Sequence, residues 1–184
     1  MAAQFFEPFQ DRLSRDIRND LSEALLPALD KNTLAPVRAV AERYLQQGLA
    51  APYAAYIDAR LAKYAAALET LARTGREDPL TRGLVLWDLE LFFEVHEVLE
   101  HAWLGAKGAE KEILQALIRA AGFYIKSEFG YVTGGTKMAA RAVAALEKNR
   151  QACTGFDPNI LLRSLRKLDP IPPKLFRQEQ DSAH

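Results

Sequence analysis

Two of the three histidines of this chain fall within one short stretch, Phe92-Phe93-Glu94-Val95-His96-Glu97-Val98-Leu99-Glu100-His101-Ala102-Trp103, where they are interleaved with three carboxylates. The third is His184, the last residue. An imidazole titrates near neutral pH, so among acids and aromatic rings it can act as a general base or centre a hydrogen-bonded network. On a helix, His96 and Glu100 lie four residues apart and share a face, as do Glu97 and His101.

A wheel at about 100° per residue, drawn from Trp87 to Trp103 as one helix, gathers Trp87, Leu91, Phe92, Val95, Val98 and Leu99 into an apolar arc. Leu89 and Phe93 widen the arc until it takes in His96 and Glu100. Glu90, Glu94, Glu97 and His101 share the remaining sector. The wheel therefore predicts an inward His96/Glu100 pair and a solvated Glu97/His101 pair. A carboxylate against an apolar wall must be hydrogen-bonded, so Glu100 either holds His96 in a core network or orients it in a pocket. On this reading His96→Ala destabilises the fold and His101→Ala is nearly silent.

Familiar metal spacings do not fit. A zincin needs two histidines four residues apart on one helical face, whereas His96 and His101 are five apart and point about 140° away from each other. A di-iron bundle needs Glu-x-x-His, and neither histidine has glutamate three residues before it. No metal ligand is assigned, and no cofactor is named. An oxygen-rich site that adds ligands from another helix to His96 and Glu100 stays open.

The helix expected over about Ala109 to Phe129 supplies the partner surface. It sets Ile113, Leu114, Leu117, Ala121 and Tyr124 toward the core and leaves Gln115, Arg119 and Lys126 as a narrow polar stripe. Gln115 or Arg119 reaching Glu100 would satisfy the acid, or the two would line a pocket for an anionic ligand. Lone cations at such an edge usually snorkel. No Gly-x-Ser-x-Gly elbow and no phosphate-binding loop is present. Cys153, the only cysteine, reads as an incidental thiol that excludes an internal disulfide. Gly134-Gly135 at a helix start reads as a turn or, less simply, as an anion-binding nest.

The elements that must carry these residues all read with helical period. The expected helices run from about Pro8 to Leu29, from a Thr33 cap to Gly48, from Pro52 to Gly75, from Leu84 to Trp103, from Ala109 to Phe129, from Lys137 to Lys148, and from Asp157-Pro158 to near Leu168. Arg76-Glu77-Asp78-Pro79 is the clearest break. After Asp169-Pro170 the Pro-rich tail lacks periodicity and reads as an irregular strap. The fold class is all-α, an antiparallel up-and-down bundle of about six to seven helices. One domain over 1–184 is expected, with N-terminal helices over 1–75, a core over 84–145 and an irregular tail over 170–184.

Basic and acidic residues balance at 24 each, so no overall field draws the chain to nucleic acid or an anionic membrane. The charge is uneven, with nine Lys/Arg against three acids between Gly130 and Arg177. Arg163, Arg166, Lys167, Lys174 and Arg177, with Arg141, would make a basic face for nucleic acid or an acidic partner only if they lay together, and no aromatic residues interleave them. The start carries no secretory signal and no run approaches membrane-spanning length, so a cytoplasmic setting is expected. The partner is unknown, with a homo-oligomer allowed by the sequence.

Trp87-Asp88 followed by Phe92 through Glu100 and Trp103 resembles the signature of the bacterial and archaeal family catalogued as domain of unknown function 309, whose hallmark here is His96-Glu97-Val98-Leu99-Glu100. A second block agrees: Leu114-Gln115-Ala116-Leu117-Ile118, Ala120-Ala121, Tyr124, Lys126, Gly130 and Gly135. The resemblance covers about Leu84 to Ala145 and implies a small all-helical protein with no established activity. It carries site roles onto Glu94, His96, Glu97, Glu100, Trp103 and Gln115. Glu90 stands where that family usually has glycine, and His101 where it usually has a second glutamate, so no shared role rests on His101. The expectation is an uncharacterised helical protein whose His96/Glu100 network borders a small pocket or partner groove. The site would be completed by Glu94, Glu97, Trp103, Gln115, Arg119 and Tyr124. The alternatives are a hydrolase-like enzyme using His96 as general base oriented by Glu100, with or without a metal, and a basic C-terminal docking surface.

Overall fold

The computed structural model describes residues 5–177, and the regular structure among them is entirely helical. The helices are α1 (Arg12–Lys31), α2 (Ala35–Leu45), α3 (Ala51–Thr74), α4 (Pro79–Asp88), α5 (Phe92–Gly105), α6 (Gly108–Glu128), α7 (Val132–Lys148) and α8 (Pro158–Lys167), with a 3-10 turn over Arg150–Ala152. Local chemistry sets most of the boundaries. Asp11, Asp78 and Asp157 cap α1, α4 and α8 by accepting backbone N–H bonds, and Pro79 and Pro158 occupy first turns. No helix among the described residues is long and apolar enough to cross a membrane.

The chain divides into two compact units between Arg73 and Thr74. In the first, α1 packs on α2, with Ile17, Leu21, Ala28 and Val37 fully buried. The Asp11 carboxylate reaches beyond its cap to accept from the Tyr53 hydroxyl at 3.0 Å, which ties α3 to the start of α1. Phe6 stacks on Tyr56 with ring centroids 3.6 Å apart.

In the second unit each helix from α4 to α8 packs on its successor, as short connections between antiparallel neighbours dictate. Helices α4 and α5 approach closely because Gly83 has no side chain: a Cβ there would lie 2.7 Å from a Leu99 methyl carbon. Trp87, Phe92 and Tyr124 build an aromatic centre where α4, α5 and α6 meet, with Trp87 edge-on to both partners and Phe92 stacked on Tyr124.

The helix expected from Leu84 to Trp103 is two helices, α4 and α5, which is why the count exceeds six or seven. Glu90 N–H donates to the Trp87 carbonyl at 2.8 Å and Leu91 N–H to the Leu86 carbonyl at 3.0 Å, the paired bonds of a Schellman stop. Leu86 and Leu91, which flank this stop, are both fully buried. Glu90 holds the left-handed position of the turn at φ +58°. Glycine ordinarily takes that position, because it lacks the Cβ that strains a left-handed backbone.

Residues 170–177 are irregular and form a strap on the end of α4. The Trp87 indole N–H donates to the Pro173 carbonyl, and the Asp88 carboxylate accepts from the Leu175 and Phe176 amides. The remainder of that tail, His184 included, lies outside the described residues.

Candidate functional site

Because α5 begins afresh at Phe92, Trp87 and Leu89 no longer belong to its wheel. Leu91, Phe92, Val95, Val98 and Leu99 form its buried side. His96, Glu100, Phe93 and Glu97 then follow one another along a single edge about 100° wide. Phe93 is only half-buried, so it does not extend the core over Glu100.

Two expected orientations are therefore corrected. Glu100 is not enclosed: its side chain is 52% exposed, and those of Glu97 and His96 are 38% and 33% exposed. The buried acid is Glu94, at 1% exposure, which an uninterrupted wheel puts in the solvent sector. Glu94 sits in the first turn of α5, where free amides and the helix dipole favour a carboxylate, so an acid is tolerated inside. His101 is exposed, as expected.

His96 stands between two acids. Its Nδ1 lies 3.5 Å from Glu97 Oε1 and 3.6 Å from Glu100 Oε2. One ligand-type atom from each of these three residues falls within 4.8 Å of the other two. The i,i+4 step brings Glu100 under His96, and the adjacent Glu97 swings around from the far side. All three side chains come from one and a half turns of one helix and are partly exposed, although the His96 Nδ1 atom itself is buried. The arrangement suits a group approached from outside rather than a closed core network.

The other expected site residues are dispersed. Trp103 is half-buried, with the Lys111 ammonium of α6 over its ring at 4.4 Å. Its buried indole N–H has no hydrogen-bond partner among the described residues. Gln115 and Arg119 are half-buried on α6, and neither bonds to Glu100 among the described residues. Tyr124 is a core residue in the aromatic centre, and burial there, with a smaller push from Asp169, raises its hydroxyl well above the usual phenol range.

The basic C-terminal residues are interleaved with acids. Arg166 pairs with Glu147, Arg177 with Asp157, and Lys174 reaches the Asp88 carbonyl and, at 4.0 Å, Glu90. Burial raises the half-buried Cys153 thiol. A cavity of about 370 Å³ opens in the second unit, but its walls come from the starts of α4 and α6, Ala102 near the end of α5 and the segment after α7, and none of His96, Glu97 and Glu100 lines it. Its acids, Asp78 and Glu110, carried no signal in the sequence because their nearness depends on helices packed far from each other in the chain.

The family model described as Domain of unknown function (DUF309) matches residues 80–138, which run from α4 into α7 and contain the whole His96 cluster. Helices α1 to α3, α8 and the strap lie outside that match. Neither a curated protein nor a solved structure matches the chain. Over residues 80–138, the segment that presents His96 between two carboxylates, the chain is similar to the DUF309 family.

Proposed function

We propose that this helical protein is a divalent-metal-binding protein whose centre is the α5 edge formed by His96, Glu97 and Glu100. The single observation that supports it is the convergence of one imidazole nitrogen and two carboxylate oxygens within 4.8 Å. Ligands about 2 Å from a tetrahedral ion are spaced about 3.3 Å from one another, close to the 3.5 and 3.6 Å separations around His96 Nδ1. One nitrogen and two hard oxygens suit zinc or manganese. Three protein ligands, two of them partly exposed carboxylates, leave a coordination position for water or an anionic ligand, as in catalytic rather than structural centres.

This reading replaces an enclosed His96/Glu100 network with an edge site, and assigns Glu97 a role equal to that of Glu100. Titration calorimetry of the full chain with zinc and manganese tests it. Saturable binding should weaken at least tenfold in His96→Ala and in Glu100→Gln, and remain unchanged in His101→Ala. Equal binding by all three variants would overturn it.

A further inference from the structure

The cavity has a chemistry of its own, separate from the metal edge. Its apolar lining comes from Leu80 of α4, Ala102 of α5 and Ile113 of α6, with neighbouring proline, leucine and alanine side chains. Its polar groups are two carboxylates, Asp78 and Glu110, and the Thr154 hydroxyl; no cationic side chain lines it. At about 370 Å³ it falls within the range of small-molecule sites.

The two acids differ in their surroundings. Asp78 caps α4, accepting from the Thr81 amide at 2.9 Å and the Thr81 hydroxyl at 2.7 Å, with the Arg76 guanidinium 3.6 Å away at the surface. These bonds hold its carboxylate ionised and fixed in place. Glu110, exposed in the first turn of α6, forms no ion pair or hydrogen bond among the described residues. Two residues on, Glu112 is held by Lys148 and Asn149. Two lining carboxylates, of which only Asp78 is ion-paired (to the surface Arg76), beside apolar walls are complementary to a cation carrying a hydrocarbon body.

We propose that this cavity binds a small aliphatic ammonium compound, its chain on Leu80, Ala102 and Ile113 and its charged head at Glu110 and Asp78. The head meets a free carboxylate at Glu110, and the chain is withdrawn from water.

The test is an NMR titration of the full chain with n-butylammonium, n-butanol and n-butyrate, which share one chain and differ in the head. Butylammonium should shift the amides of Leu80, Ala102 and Ile113 saturably. Butanol should bind about tenfold more weakly, the loss of roughly one charge-assisted hydrogen bond, and butyrate more weakly still. Glu110→Gln, a surface change that leaves the fold intact, should weaken butylammonium about tenfold, and Ala102→Leu should abolish its binding by filling the cavity. Equal affinity for all three compounds, indifference to Glu110→Gln, or shifts confined to the His96 edge would each overturn the proposal.

Discussion

The indole N–H of Trp87 donates to the carbonyl oxygen of Pro173 at 2.8 Å, joining the family segment to a strap that lies outside it. Asp88, the next residue, completes the clamp by accepting from the Leu175 amide at 2.7 Å and the Phe176 amide at 3.2 Å. The Trp87-Asp88 pair is thus engaged in holding the strap.

Asp88→Ala should destabilise the second unit by about 1–3 kcal/mol, because two strap amides lose their acceptor and Leu175 loses its buried seat. Limited proteolysis should then cut near Leu175, where wild-type protein resists.

The same carboxyl has a pH signature. Burial raises its proton affinity above the usual aspartate range, outweighing the Leu175 and Phe176 amides and the Lys174 charge. Its contribution to stability is therefore full below the unfolded-state pKa and is lost as pH rises through the raised folded value. Denaturant melts should show the stability of wild type relative to Asp88→Asn falling across that window. A difference that grew with pH would contradict the assignment.

Glu90→Gly should stabilise the protein by about 0.5–1 kcal/mol, since glycine accepts the left-handed turn without strain and the exposed Lys174 contact is worth little. Urea unfolding should register a higher midpoint at an unchanged slope. Glu90→Val, with a branched side chain at φ +58°, should move the midpoint the other way.

Glu94 and Glu100 should behave oppositely to their order on an uninterrupted wheel. Glu94→Ala removes a buried, engaged carboxylate and should cost about 1–3 kcal/mol, whereas the exposed Glu100→Ala should stay within about 0.5 kcal/mol. Thermal melts of the two variants decide it. Equal melting temperatures would show that the buried position of Glu94 does not matter to the fold.

Asp11→Ala should destabilise the first unit by about 1–2 kcal/mol through loss of the α1 cap, with a further loss from the Tyr53 hydroxyl it leaves without its acceptor. The Ser14 hydroxyl, more than any other group, holds this carboxyl below the usual aspartate range. Its contribution is therefore present above the unfolded-state pKa and lost as pH falls through the depressed value. Wild type and Asp11→Ala should converge in stability on acidification, as followed by circular dichroism.

The all-helical class and most boundaries were legible in the residues because helix signals are local. Asp11, Asp78 and Asp157 cap the helices they precede, and Pro79 and Pro158 occupy their first turns. The His96/Glu97/Glu100 grouping was also within reach, since all three side chains leave one and a half turns of one helix. The break before it leaves no glycine signal, because Glu90 fills a left-handed position that glycine usually marks. Carrying one helical phase across that turn placed Leu89 and Phe93 over Glu100 and sent Glu94 outward. Burial depends on which face of α5 meets α4 and α6, and that phase is reset by the Schellman turn rather than by periodicity. The strap on Trp87 and Asp88, and the cavity that brings Asp78 to Glu110, join residues too far apart in the chain for any local signal to pair them; they exist only once the helices have packed.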